Sequence, residues 1–154
     1  MIFLSAFTRR LSTSAALLLA GAPAFAQTAL PLAELGAGMY RIEAEVAHTF
    51  ETRQTGLMNR TTMSLHRGMV FVFPEARAHC MWMKNTLLPL SVAFMDAEGR
   101  ILNIEDMQPQ TETNHCAAKP ARFALEMNLG WFKQKGFGPG TRIVGADKLA
   151  GVAR

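Results

Sequence analysis

Short segments of alternating or continuous apolar residues make up much of the chain, and this pattern is typical of β-strands. In residues 39–47, apolar side chains alternate with charged ones, which predicts a half-buried strand. Residues 68–73 form a continuous apolar run that stops at Pro74, as expected of a strand covered on both faces. Residues 122–127 are predicted to form another strand. The sequence therefore predicts a sheet with buried central strands.

Turn and cap residues separate these segments. Residues 90–95 and 100–107 flank a four-residue turn that ends in glycine, which predicts the hairpin of a β-meander. Thr49 is placed to cap a short helix that ends at Gly56. A second helical turn is expected over residues 131–135. The helices are thus few and short.

The remaining segments complete a mainly β fold class. A long loop over residues 108–120 precedes strand 122–127, and a closing strand is expected over 141–144. Many short strands with one or two short helices predict a β-sandwich or a partly closed barrel. We expect one β-rich domain over residues 39–154, preceded by a flexible leader over 27–38.

The N-terminal residues 1–26 have the pattern of a signal peptide. Arg9 and Arg10 precede an apolar stretch over residues 11–22, and the Ala-Phe-Ala tripeptide at 24–26 supplies the small residues of a cleavage site. The apolar stretch is shorter than the ~20 residues that a membrane-spanning helix needs. We therefore expect a periplasmic or secreted protein that has no membrane association after cleavage.

Charge argues against nucleic acid as a partner. Cleavage removes two arginines and no acid, so the formal charge falls from +4 to +2. The remaining basic residues are scattered among acids and form no run that resembles a phosphate-binding surface. A chain of this length buries one core, and we expect a monomer.

Two cysteines, Cys80 and Cys116, are each preceded by histidine, at His79 and His115. In an oxidising compartment a disulfide is the simplest interpretation, and closing its loop of about 35 residues contributes ~3–4 kcal/mol. The alternative is a zinc or copper site that uses the two His-Cys pairs. Adjacent residues on a strand point to opposite faces, which disfavours that alternative. We predict the disulfide and no cofactor.

Methionine is abundant after the signal peptide, and thioethers are ligands for copper(I). These methionines are spread over many elements, as expected of residues that fill an irregular core. Only Met81 and Met83 resemble a pair. Copper handling therefore remains an alternative and core packing the default.

The segment from His79 to Pro89 contains the greatest variety of side-chain chemistry in the chain. Trp82, Lys84 and the following Asn-Thr pair have polar tips that need hydrogen-bonding partners. A strand that only fills a core has aliphatic residues instead. This segment therefore predicts a recognition surface.

Four motifs occur in a fixed order along the chain. They are Gly-Leu-Met-Asn-Arg at 56–60, Gly-Met-Val-Phe-Val-Phe-Pro at 68–74, Trp-Met-Lys-Asn-Thr-Leu-Leu-Pro-Leu at 82–90 and Leu-Glu-Met at 125–127. In these motifs the chain resembles the family called domain of unknown function 192 over about residues 40–144. The resemblance implies a compact, mainly β domain without established biochemistry. Ser91 departs from the family pattern, in which an aspartate follows the Pro-Leu pair.

The polar residues of these motifs are the candidate ligand-binding set, which we expect to meet in a cleft around residues 82–86. The set is Arg60, Trp82, Lys84, Asn85, Thr86 and Glu126. The cationic members suit an anionic or carbonyl group, the indole suits a sugar or an aromatic ring, and the amide suits hydroxyls. The competing interpretation is structural: Lys84 pairs with Glu126, the side chains of Asn85 and Thr86 satisfy the backbone of a turn, and Trp82 belongs to the core.

Enzyme signatures are missing from the sequence. No nucleophile elbow, zinc-protease motif, P-loop or dinucleotide fingerprint occurs, and we expect no catalytic residues. We therefore predict an exported domain that binds a small ligand or a partner protein without catalysis. The alternatives are a periplasmic protein that handles copper or zinc and a cryptic enzyme centred on Lys84 and Glu126.

Overall fold

The structure, a computed structural model, describes residues 29–152. Its strands are β1 (Leu32–Ala37), β2 (Tyr40–Ala47), β3 (Arg67–Arg77), β4 (Cys80–Met81), β5 (Leu90–Met95), β6 (Ile101–Met107), β7 (His115–Cys116), β8 (Ala121–Asn128) and β9 (Ile143–Val144). Its helices are α1 (Phe50–Thr55), α2 (Trp131–Gln134) and a 3₁₀ turn (Asp147–Leu149). The predicted signal peptide lies outside the described residues. Within the described part, no helix is long and apolar enough to cross a membrane.

Seven strands form one curled sheet in the order β6-β5-β8-β3-β2-β1-β9. The sheet is a half-barrel, and β4 and β7 form a small second sheet beside it. All neighbouring strands of the large sheet are antiparallel except β2 and β3, which are parallel and connected through α1. The prediction of a mainly β fold is confirmed, with the partly closed barrel as its form.

Several predicted elements are confirmed closely. Strands β5 and β6 form the expected hairpin, whose turn places Gly99 at a φ of 76°. Helix α1 begins with a capping box, because Thr49 accepts a hydrogen bond from the Thr52 amide and the Thr52 side chain accepts one from the Thr49 amide. Gly56 ends this helix with a positive φ of 47°.

Three predictions from local pattern are wrong. Residues 32–37 of the expected flexible leader form β1, because Leu35 and Ala37 are buried in the core and six residues pair with β2. Strand β3 continues through Pro74, where its register with β8 shifts. The second half is not a meander, since β8 lies on the opposite side of β5 from β6.

The sheet is buried on both faces. One core includes the side chains of Val70 and Val72 and is covered by the aromatic residues of α2. The other includes Met69 and Phe71 and is covered by Leu57, Met83 and other residues that follow α1 or surround β4. The functional candidates lie in the layer over this second face.

Candidate functional site

Residues 82–86 form a ridge over the second core, and we refer to them as the ridge. The buried side chain of Met83 anchors it, and the Met83 amide donates a hydrogen bond to the Thr111 carbonyl at 2.9 Å. The Thr86 amide donates to the Met83 carbonyl at 3.0 Å, and the Gln110 amide donates to the Thr86 carbonyl at 3.0 Å. The ridge is therefore tied to the loop that precedes β7.

Ridge residues line two recesses, and none of these residues lines both. The first recess, which we call the amide cleft, has a volume of about 240 Å³. It is lined by Asn59, Lys84, Asn85, Leu87, Gln110 and Glu112. Three loops thus contribute to one cleft: the turn after α1, the ridge with its following residue, and the loop after β6.

Each of these loops presents a carboxamide side chain from a left-handed backbone position. Asn59, Asn85 and Gln110 have φ values of 62°, 54° and 58°, and they are the non-glycine residues with positive φ among residues 29–152. The backbone N–H of Asn59 also donates a hydrogen bond to the backbone carbonyl of Asn85 at 2.9 Å. Left-handed backbone is unfavourable for residues with a β-carbon and concentrates at functional sites. All three positions line the amide cleft.

Lys84 supplies the positive charge of the amide cleft. Its Nζ lies 3.6 Å from the Glu112 carboxylate and 5.4 Å from the centre of the Trp82 ring. Both side chains of the ion pair are largely exposed, so solvent screens their attraction. The ion pair that the structural interpretation expected between Lys84 and Glu126 is not formed.

The second recess, which we call the slot, holds about 20 Å³. It is lined by Arg53, Gln54, Thr55, Gly56, Leu57, Met58, Phe71, Met81, Trp82, Thr86 and Glu126. This volume is about that of one water molecule. The slot is therefore too small for a ligand of ordinary size unless its walls move.

Glu126 is the acidic residue that lines the slot, which Arg53 also lines, and it is only 4% exposed. Burial raises the pKa of its carboxyl group from 4.5 to about 8. Among residues 29–152, no hydrogen bond or neighbouring charge offsets this effect of burial. Glu126 is thus mainly uncharged at neutral pH.

Two ridge residues, Trp82 and Thr86, line the slot rather than the cleft. Trp82 is 39% exposed, so the expectation that it belongs to the core is wrong. Thr86 is buried, and its hydroxyl group donates to the Lys84 carbonyl at 3.3 Å. Thr86 therefore helps to hold the shape of the ridge.

Arg60 lies in a third recess, a groove of about 810 Å³ between α1 and the residues before β1. Its guanidinium group forms a bidentate ion pair with the Glu45 carboxylate, with one N–O distance of 2.6 Å. These hydrogen bonds raise the pKa of Arg60 above its usual range. Arg60 is therefore paired already and does not join the ridge residues.

The two cysteines form the predicted disulfide between Cys80 and Cys116, which face each other in the β4–β7 pair. In this oxidised form neither sulfur is a thiolate, so the alternative metal site lacks two of its four proposed ligands. His79 stacks on Phe73 with ring centres 3.8 Å apart, and His115 Nδ1 lies 4.0 Å from the Glu105 carboxylate. No group of three or more histidine, cysteine or acidic side chains within residues 29–152 is arranged to hold a metal.

Ser91, where the chain departs from the family pattern, is a buried structural residue. Its hydroxyl group donates to Asp106 and accepts a hydrogen bond from the Gly130 amide at 2.8 Å. These bonds join β5 to β6 and to the residue before α2. Ser91 contributes to neither recess beside the ridge.

The structure therefore brings the predicted residues together only in part. Lys84 and Asn85 line the amide cleft, while Glu126 lines the slot, so the pair proposed for a cryptic enzyme does not share one recess. The sequence analysis missed Asn59, Gln110 and Glu112. Asn59 was present in the first motif, but the other two lie in a loop without a recognisable pattern.

The comparisons with known proteins find relatives without an assigned biochemical activity. No curated protein matches the chain. A crystal structure from Sinorhizobium meliloti 1021, described provisionally as a transcription regulator, is 36% identical over 74% of this chain and 92% of its own, with a TM-score of 0.69. A protein of unknown function from Novosphingobium aromaticivorans DSM 12444 is 31% identical over 80% of this chain and 93% of its own, with a TM-score of 0.72.

The family comparison agrees with the resemblance in the four motifs. The profile of DUF192, described as an uncharacterized ACR family, matches residues 33–145. This match begins at the second residue of β1 and ends just after β9, so it includes all of the seven-stranded sheet except Leu32. The chain belongs to the DUF192 family.

Proposed function

We propose that the protein is an exported, non-catalytic binding domain that holds a small polar ligand in the amide cleft. The observation that carries this proposal is the convergence of three carboxamides, each on a left-handed backbone, around Lys84. Such backbone positions cost free energy, on the order of 1 kcal/mol or more each. Their concentration at one recess supports a role for the recess in function.

A small ligand suits this surface better than a partner protein. The cleft is a recess with several convergent polar groups, as binding sites for small molecules are. Its volume of about 240 Å³ lies below the range of ~300–1,000 Å³ typical of drug-sized ligands. We therefore expect a ligand of roughly one ring or one short chain.

The arrangement of charge supports binding without catalysis. Lys84 is paired with Glu112, and the buried carboxyl group of Glu126 lies in the separate slot. A catalytic acid or base must be within hydrogen-bonding reach of the reacting group. Glu126 does not line the amide cleft.

Export is supported by the disulfide, because cysteines that pair stably are typical of oxidising compartments. Mass spectrometry of protein from the periplasmic fraction should show a chain that begins at Gln27 and has no free thiol. A full-length cytoplasmic chain with two reactive thiols would contradict export.

The description of the Sinorhizobium relative raises DNA binding as another role, and the charges of this chain favour it less. Several arginines are held beside acids, which neutralises the charge that DNA phosphates would contact. These are Arg41, Arg60, Arg67, Arg77 and Arg142.

The proposal is tested by mapping where small molecules bind. Neutral sugars, amino acids and dicarboxylates are titrated into ¹⁵N-labelled protein, and the side-chain amide signals of Asn59, Asn85 and Gln110 are followed. We expect at least one probe class to shift these three signals together. Lys84→Ala should weaken that binding, because it removes a donor from the cleft.

Lys135→Ala is the matched control. Lys135 also lies over an aromatic ring, with its Nζ 4.7 Å from the centre of Tyr40, but it lies outside the amide cleft. It should leave binding unchanged, and both variants should retain the melting temperature. No shift at the three amides with any probe, or equal loss of binding in the two variants, would overturn the proposal.

A further inference from the structure

We infer that the ligand of the amide cleft is an uncharged saccharide unit, an inference that rests on the proposed function. The cleft combines three carboxamides, one compensated ion pair and one exposed aliphatic side chain. Together these groups match the surface of a sugar ring, which has hydroxyl groups around its edge and C–H bonds on its faces.

The hydrogen-bonding groups of the cleft match hydroxyl groups. A carboxamide has two N–H donors and a carbonyl acceptor, and a hydroxyl group both donates and accepts. Asn59, Asn85 and Gln110, which line the cleft from three different loops, therefore bring donors and acceptors suited to a hydroxyl-bearing ligand. A dicarboxylate would use only the donors, and a polyamine only the acceptors.

The charges in the cleft compensate each other. The Lys84 ammonium group lies 3.6 Å from the Glu112 carboxylate, so a charged ligand would gain attraction from one group and repulsion from the other. A hydroxyl group can accept from the ammonium group and donate to the carboxylate without this conflict. The pair therefore favours an uncharged ligand.

An apolar surface is available beside the polar groups. Leu87 lines the cleft and is 42% exposed. Burying its side chain under the C–H face of a ring removes apolar surface from water, which is favourable. Lys84 lies over the Trp82 ring, so we assign the apolar contact to Leu87 rather than to the indole.

The left-handed positions allow unusually selective variants. Glycine accepts a positive φ without strain, so Asn85→Gly and Asn59→Gly remove a carboxamide while the backbone keeps its conformation. Asn85→Asp keeps the side-chain size and replaces the N–H donors with a carboxylate oxygen. Asn114→Gly is the control, because Asn114 is an exposed residue of the loop before β7 that does not line the cleft.

The experiment compares four probes by titration calorimetry and by amide shifts: glucose, N-acetylglucosamine, succinate and putrescine. We expect a sugar to bind with a Kd of roughly 1 mM, as suits a single ring, and to shift the three carboxamide signals. Asn85→Gly and Asn59→Gly should each raise this Kd at least about fivefold, which corresponds to the loss of one hydrogen bond. Asn114→Gly should leave the Kd unchanged.

The outcomes separate this inference from the proposed function. If succinate or putrescine shifts the three carboxamides and neither sugar does, the saccharide class is wrong and the cleft remains a binding site. If no probe shifts them, both fail. If a sugar binds but both glycine variants bind it as tightly as the unchanged protein, the saccharide inference fails because the carboxamides do not recognise it.

Discussion

Among residues 29–152, Glu126 is the acidic residue whose pKa its environment shifts furthest. It is buried on β8, and within the described part of the chain no hydrogen bond or neighbouring charge offsets the effect of that burial. Ionising a carboxyl group there requires removing a charge from water without compensation. Its pKa of about 8 follows from this burial.

The stability of the protein should therefore fall as the pH rises from about 4.5 toward 8. Within that window Glu126 is protonated in the folded protein and ionised in the unfolded chain, so folding takes up a proton. The expected slope is on the order of 1.4 kcal/mol of unfolding free energy per pH unit. Glu126→Gln, which cannot ionise, should lose this slope in urea unfolding measured at pH 5, 6, 7 and 8.

Glu112→Gln is the control for the pH dependence. Glu112 is an exposed carboxylate, and its replacement should leave the slope of the unchanged protein in place. A Glu126→Gln variant with the same slope as the unchanged protein would show that another group causes the pH dependence.

At the scale of elements, the small β4–β7 sheet holds two of the loops that form the amide cleft. In this sheet Cys80 faces Cys116. Strand β4 directly precedes the ridge, and β7 follows the loop that contains Gln110 and Glu112. Beyond this sheet, the hydrogen bonds of Met83 and Gln110 connect the same segments. The disulfide therefore joins two of the three segments that line the cleft.

Replacing both cysteines by serine should loosen the cleft and lower stability. The chain-entropy model gives a loss of ~3–4 kcal/mol for a loop of this length. Hydrogen exchange of the Met83 and Gln110 amides should accelerate more than global unfolding accounts for. The β5–β6 hairpin provides the internal reference, and equal acceleration in the hairpin and the cleft would contradict a local role for the disulfide.

At the scale of the whole molecule, β1 completes the sheet between β2 and β9. It pairs with β2 over six residues, buries Leu35 and Ala37, and is the strand to which β9 is hydrogen-bonded. Without β1, the long edge of β2 would be exposed and β9 would lose its partner. The segment expected to be a leader is thus part of the core.

A chain that begins at residue 39 should consequently be much less stable than one that begins at residue 29. Loss of two buried side chains and of the strand pairing should remove several kcal/mol of unfolding free energy. Guanidinium unfolding of the two chains measures the difference. If the shorter chain unfolded at the same denaturant concentration, β1 would be dispensable and the leader interpretation would be restored.

Local patterns in the sequence determined much of the fold. Three elements depend on residues that are close in sequence: the hairpin of β5 and β6, the capped helix α1 and the doubly buried strand β3. Their turn, cap and apolar patterns can therefore be read from the sequence. The two cysteines and the four motifs likewise identified the disulfide and the family. The polar members of these motifs also predicted that residues 82–86 line a recess.

The tertiary structure alone decided which strands are neighbours and which polar residues meet. A strand such as β1, with weak alternation and several small residues, is recognised by its partners rather than by its own pattern. The ridge sends Lys84 to one recess and Trp82 to another, while Asn59 and Gln110 reach the amide cleft from segments distant in sequence. Strand order and the meeting of loops depend on contacts between segments that are distant in sequence, and no local pattern encodes these contacts. Turns and the apolar pattern of a strand depend on residues that are neighbours in sequence.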